Sequence, residues 1–126
     1  MNTRRLLAVL LLALNAAAAH ALDVKPYSAA ALADAQRADK PVALHFRADW
    51  CPTCRAQDKL IEGMKADPAL DLTVLAVNYD TEKELKKQFS IRTQSTLVVL
   101  RGSKETGRSI GDTSAAGLKA ALQSAL

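Results

Sequence analysis

Cys51-Pro52-Thr53-Cys54 is where the chemistry of this 126-residue sequence concentrates. These two cysteines are the only ones in the chain, and they stand three positions apart. Pro52 suits the first turn of a helix, where its missing N–H costs no intrahelical hydrogen bond. A helix opening there places Cys51 at its N-terminus, among unpaired backbone N–H groups and the positive end of the dipole, which favours a thiolate. Thiols so placed fall from a free pKa of about 8.5 to about 3.5–7.5. Cys54 then lies one turn deeper, within reach of Cys51 and shielded from solvent. The expected roles follow: an exposed Cys51 attacks a partner disulfide as nucleophile, and Cys54 resolves the mixed disulfide by attacking Cys51.

Three other uses of the pair fit less well. A zinc site needs about four ligands, and only one cysteine pair is present. A c-type haem needs histidine directly after the second cysteine, where this chain has Arg55. A purely structural disulfide across so small a ring restricts little chain entropy.

The elements that must carry the pair read as follows. Ser28 caps a helix over residues 29–38 with Leu32 on one face, ended by Asp39-Lys40-Pro41. Residues 42–46 form a short, mostly apolar run, read as a buried strand that contains His45. A loop over 48–51 leads into the helix of Pro52, which runs to about Lys65 with Leu60, Ile61 and Met64 inward. Residues 72–78 are a second strand. Thr81 and Glu84 have capping-box spacing and open a helix to about Phe89. A third strand lies within 95–101, and a turn over 102–105 joins it to a short strand near 106–110 as a hairpin. Asp112 or Thr113 caps a last helix ending near Leu122. In the order α-β-α-β-α-β-β-α strands first alternate with helices and a hairpin then closes the sheet, an α/β class. No internal repeat or interdomain linker is visible.

Composition fits one globular domain: 24% of residues are charged and 49% hydrophobic. Aromatics at 4% argue against a platform for stacking RNA bases. The N-terminus carries an address. Arg4 and Arg5 precede an apolar run over residues 6–19, broken only by Asn15 and closed by Ala19-His20-Ala21. This is the layout of a secretory signal peptide with a small-x-small cleavage site. The run is shorter than the ~20 residues a membrane span requires. The expectation is a leader over 1–21 and a mature domain over 22–126, contacting a membrane only through the export signal. Of 17 Lys and Arg, Arg4 and Arg5 leave with the leader, and 15 against 13 Asp and Glu is a net of +2. That is too little for charge-driven nucleic-acid binding. An exported chain meets a disulfide-permissive compartment, and a bacterial periplasm is the expected home.

The residues around the pair resemble the thioredoxin family. Phe46-Arg47-Ala48-Asp49-Trp50-Cys51-Pro52-Thr53-Cys54-Arg55 is similar to that family's strand, tryptophan and active-site motif. Residues 74–80 resemble its central strand ending in Asn-x-Asp, Phe89-Ser90-Ile91-Arg92 followed by Thr96-Leu97-Val98 its segment before the fourth strand, and Gly111 its glycine before the last helix. The resemblance spans most of residues 40–122. It implies a thioredoxin fold, a central mixed sheet flanked by helices. It also implies that Trp50 shields the disulfide and that partner polypeptides dock around Cys51.

Two positions depart from the family. Where it has a buried acid on the strand, six residues before the first cysteine, this chain has His45. An imidazole could serve the same proton transfer to and from the second cysteine, fill space as a neutral core residue, or join the cysteines as a metal ligand. Where the family places a cis-proline against the disulfide, this chain has Ser95 after Gln94. A non-proline cis bond costs about 2.5–4 kcal/mol, so the Gln94–Ser95 peptide is expected trans unless the fold enforces otherwise. A hydroxyl then faces the sulfurs, and the family's obstacle to metal capture is gone.

The expected function is an exported thiol–disulfide oxidoreductase that reduces or exchanges disulfides in partner proteins and is served by an upstream redox partner. Cys51, Cys54 and His45 are the candidate catalytic residues, and Trp50, Pro52, Thr53, Gln94 and Ser95 the candidate substrate-binding ones. No organic cofactor is needed, because the dithiol carries the electrons. The alternative is a module that uses the same cysteines to hold a soft metal or an iron–sulfur cluster.

Overall fold

The computed structural model describes residues 21–126, so the expected leader falls, apart from Ala21, outside the described residues. The elements in chain order are β1 (Asp23–Pro26), α1 (Ala29–Arg37), β2 (Pro41–Arg47), α2 (Pro52–Gly63), β3 (Thr73–Asn78), α3 (Lys83–Gln88), β4 (Thr96–Arg101), β5 (Lys104–Ile110) and α4 (Ala115–Gln123). They form one five-stranded sheet in the order β1-β3-β2-β4-β5. β1 and β2 run parallel to β3, β4 is antiparallel to β2, and β5 closes the sheet as an antiparallel hairpin with β4.

The fold is the α/β mixed sheet that the resemblance implied, with one strand added in front. β1 has only four residues and a single partly buried apolar side chain, Val24. So short a segment carries no readable alternation. It forms because β3 offers it a parallel edge, and its Pro26 is tolerated because an edge strand needs fewer ladder donors.

Two apolar layers sandwich the sheet, and the period-2 alternation of the strands assigns them. Val42, Leu44 and Phe46 of β2 join Val98 and Leu100 of β4, Leu75 and Val77 of β3 and Leu32 of α1 on one face. Ala43 joins Leu97, Val99 and Val74 on the other, under Ile61 of α2 and Leu118 and Leu122 of α4. Each fully buried large side chain contributes about 1.5–3 kcal/mol by leaving water. Alternation from Ala43 turns His45 and Arg47 toward the α2 face.

Local capping departs from the sequence reading at two helices. Ser28 caps α1 through the Ala31 N–H, as read. Thr81 does not cap α3. That helix starts at Lys83 without a side-chain cap, and the Asn78 Oδ1 accepts the Asp80 and Thr81 N–H groups instead. The cap of α4 is Ser114 rather than Asp112 or Thr113, because Asp112 bonds the Ser114 N–H and hydroxyl and so holds the capping residue in place. The β4–β5 turn is tighter than expected, with Gly102 at φ +58°. A Cβ there would lie 2.5 Å from the Asp39 carboxylate, so both the turn and the close approach require glycine.

The register places the site. Phe46 pairs with Thr96 across β2 and β4, so the residue before β4, Ser95, lies beside the end of β2, where the chain runs into Cys51 and α2.

Candidate active site

Cys51 is the N-cap of α2, with extended backbone at φ −91° and ψ 111°. Its sulfur takes the place of the usual capping oxygen and accepts the Cys54 N–H at 3.1 Å. Both cysteines are free thiols. The buried stripe of α2 is Cys54, Gln57 and Ile61, the spacing of one helical face.

The third member is Ser95. Its hydroxyl oxygen lies 3.2 Å from the Cys51 sulfur and 3.1 Å from the Cys54 sulfur. Every peptide bond among the described residues is trans, Gln94–Ser95 included, and Ser95 has φ +64°. A non-glycine residue in this left-handed region costs roughly 1–2 kcal/mol, and the neighbouring backbone holds it there. The Ser95 N–H donates to the Phe46 carbonyl at 2.9 Å. The Ser95 carbonyl accepts the Gly111 N–H at 3.0 Å and the Gln57 Nε2 at 3.1 Å.

The thiols are inequivalent, though not through exposure. Cys51, expected exposed, is 2% exposed, against 0% for Cys54. Ala48 and Cys54 pack against it and the Ser95 hydroxyl reaches it. Protonation distinguishes them instead. Burial alone would push the Cys51 thiol up, but hydrogen bonds from the Cys54 thiol, the Ser95 hydroxyl and the backbone N–H groups of Cys54 and Thr53 hold it below the ordinary thiol value. Burial, with the hydrogen bond to Cys51, pushes Cys54 up.

His45 is brought to the site by way of Gln57. It is 2% exposed, and its Nε2 lies 2.8 Å from the Gln57 Oε1. Its Nδ1 lies 3.6 Å from the Asp58 carboxylate, which Arg47 grips through Nε at 3.0 Å and Nη2 at 2.9 Å. Both ring nitrogens are thus turned to α2 residues, and neither bonds a sulfur. Burial holds the imidazole below its usual range, against the pull of Gln57 and Asp58.

The remaining sequence candidates form the rim. Trp50 is 57% exposed, and its indole Nε1 donates to Asp80 at 2.8 Å. It stands beside the sulfurs in sequence and is anchored across to the loop after β3. Pro52 is exposed and Thr53 half-buried on the first turn of α2. Gln94 is half-buried and accepts the Thr93 hydroxyl. Two residues escaped the sequence reading. Gln57 was readable as a polar residue on the stripe of Cys54 and Ile61. Ile110, an exposed large hydrophobic one residue before Gly111, had no signal beyond its strand position. For a soft metal the donors at hand are the two sulfurs and the Ser95 oxygen. Among the described residues no group of three or more His, Cys, Asp or Glu comes together to hold a metal ion.

Comparison with known proteins matches this geometry. The family model described as Thioredoxin matches residues 24–124. Thioredoxin from Acidithiobacillus ferridurans is 31% identical over 74% of this chain and 86% of its own length. Thioredoxin from Alicyclobacillus acidocaldarius is 34% identical over 58% of this chain and 70% of its own. Among solved structures, Trxlp from Edwardsiella tarda EIB202 superposes with a TM-score of 0.75 at 44% identity, covering 79% of this chain and 98% of that one. A free dithiol at a helix N-terminus, the mixed five-stranded sheet behind it and these relatives lead to one conclusion: the chain belongs to the thioredoxin family and is a thiol–disulfide oxidoreductase.

Proposed function

We propose that the protein works outside the cytoplasm, in a bacterial periplasm, and reduces or exchanges disulfides in partner proteins through Cys51 and Cys54. The observation that carries this reading is the pair of free sulfurs at the start of α2 with the Ser95 hydroxyl 3.2 Å from one and 3.1 Å from the other, a setting that pulls the Cys51 pKa down and pushes the Cys54 pKa up. The Cys51 thiolate attacks one sulfur of the partner disulfide. A bond forms between Cys51 and that sulfur, and the other partner sulfur leaves as a thiolate and takes a proton. Cys54 then loses its proton, attacks the Cys51 sulfur, closes the Cys51–Cys54 disulfide and releases the second partner thiol. Two electrons and two protons pass to the partner, and an upstream dithiol restores the pair. The Ser95 hydroxyl can donate to whichever of the two sulfurs carries charge. Trp50, Pro52, Thr53, Gln94 and the exposed Ile110 offer the partner a surface around sulfurs that are themselves nearly buried.

Export rests on the Arg4-Arg5 start, the apolar run over residues 6–19 and the Ala19-His20-Ala21 site. It gains support from Leu22, the first residue after that site, which is 3% exposed within the core under α2 and α4. Mass spectrometry of the native protein should find Leu22 at the N-terminus, and a retained residue 6–19 segment would overturn the cleaved leader and imply a membrane anchor. Insulin-disulfide reduction should be present in the wild type and lost in Cys51→Ser, and equal activity in both would overturn the assignment of the pair.

A further inference from the structure

Gln57 is fully buried at 0% exposure and touches three separate parts of the fold. Its Nε2 donates to the Ser95 carbonyl at 3.1 Å and to the Asp112 carbonyl at 2.9 Å. Its Oε1 meets the His45 Nε2 at 2.8 Å. Two carbonyl acceptors on one side fix which end of the carboxamide is nitrogen, since a carbonyl cannot donate. The Oε1 must then accept, so His45 carries its proton on Nε2. Both Nε2 hydrogens and one Oε1 lone pair are thereby used, on two buried partners, His45 and Ser95, and on the half-buried Asp112.

We propose that Gln57 is a positioning residue for the redox pair: backed by His45, it ties the Ser95 carbonyl to the loop before α4 and so sets the Ser95 hydroxyl between the two sulfurs. The backbone shows why such a tie is needed. Ser95 sits at φ +64°, a conformation that a serine leaves readily unless its flanking peptides are held. The Phe46 carbonyl holds one side and the Gly111 N–H the other. Gln57 adds the only side-chain tie to that carbonyl among the described residues, and it comes from the same helix face as Cys54. The loop that carries the hydroxyl and the helix that carries the sulfurs are thus cross-linked three residues from Cys54. His45 gains a role in this arrangement without touching a sulfur. It gives the Gln57 oxygen a buried donor, and from its other side it meets Asp58, which Arg47 holds.

This inference rests on Cys51 and Cys54 being the redox pair. Its test reads Cys51 directly, so that it can fail separately from the proposed function. The measurement is the pH dependence of Cys51 alkylation in the reduced protein, with near-ultraviolet circular dichroism as the check on folding. Gln57→Met, close in volume and without donors, should raise the Cys51 pKa by about one unit, about tenfold less thiolate at a pH below both values. The discriminating arm is a double-mutant cycle. In a Ser95→Ala background the hydroxyl is already gone, so Gln57→Met should add nothing further to the Cys51 pKa. A merely structural glutamine would lower the melting temperature in both backgrounds and leave the Cys51 pKa where it was. A folded Gln57→Met with an unchanged Cys51 pKa, or shifts that add fully in the double variant, would overturn the proposal. Should Gln57→Met fail to fold, the unaltered protein supplies the answer by NMR. The Gln57 side-chain amide protons should shift with the midpoint of the Cys51 titration, and amide signals that stay fixed through it would overturn the proposal as well. Loss of insulin reduction in the wild type would count against the proposed function and leave the alkylation result standing.

Discussion

Removing the Ser95 hydroxyl should raise the Cys51 pKa by about one unit. In the thiolate form the Cys51 sulfur is served by the Ser95 hydroxyl at 3.2 Å, the Cys54 N–H at 3.1 Å and the Cys54 thiol. A hydrogen bond to a charged group is worth about 1.5–3 kcal/mol, and at 1.36 kcal/mol per unit that is about one to two pKa units. The lower end applies because the hydroxyl has one proton for two sulfurs, the second at 3.1 Å, and the other donors stay in place. Ser95→Ala and Ser95→Gly separate the hydroxyl from the backbone. Both should move the Cys51 pKa by the same amount, while Ser95→Gly should be the more stable by about 1 kcal/mol, since only glycine accepts φ +64° without a Cβ clash. The assays are thiolate absorbance or alkylation rate against pH for the first quantity and urea unfolding for the second. A Cys51 pKa unchanged in Ser95→Ala would refute the reasoning, for the hydroxyl would then not serve the thiolate.

Restoring proline at position 95 should destabilise this protein by more than about 1 kcal/mol, because proline cannot reach a positive φ and has no N–H for the Phe46 carbonyl; a Ser95→Pro protein with a raised unfolding midpoint would contradict this. Cys54→Ser should accumulate mixed disulfides on Cys51 with protein partners, seen on non-reducing gels, and Cys51→Ser should accumulate few or none; the reverse pattern would exchange the two roles. His45 should make the protein acid-sensitive. The unfolded chain binds its proton near pH ~6.5 and the folded chain only at lower pH. Between those values the unfolded state holds more protons, so stability rises with pH and is lost as pH falls through that window. Urea midpoints of His45→Gln should fall less over the same range, and parallel curves would assign the acid loss to other groups.

Much of this was legible in the residues because local rules decided it. Pro52 after Cys51 marked a helix start, the bounded apolar run over β2 marked a buried strand, and Ser28 marked the cap of α1. The unread parts depend on what the chain meets in space. β1 is four residues that pair only because β3 is there. Cys51 lies at the start of its helix as expected, yet it is buried because Ala48, Cys54 and Ser95 close over it, and two of these contacts are set by strand register and loop placement rather than by the helix. The Thr81 capping box did not form: the helix starts at Lys83, and Asn78 takes the Thr81 N–H that the box would have given to the Glu84 side chain. Gln57 is the instructive omission. A polar side chain on an apolar stripe is a visible conflict, and here the conflict marks a tie to three partners.

The central claim is that Cys51 and Cys54 form a reversible redox couple. Its most direct test is the reduction potential of that pair, measured by equilibration with glutathione or thioredoxin buffers and read from the ratio of dithiol to disulfide. A two-electron couple between about −270 and −120 mV, the span of catalytic pairs in related oxidoreductases, is the predicted result. A disulfide that resists reduction below about −300 mV, the behaviour of a structural bridge, or thiols that never equilibrate with the buffer, would contradict it.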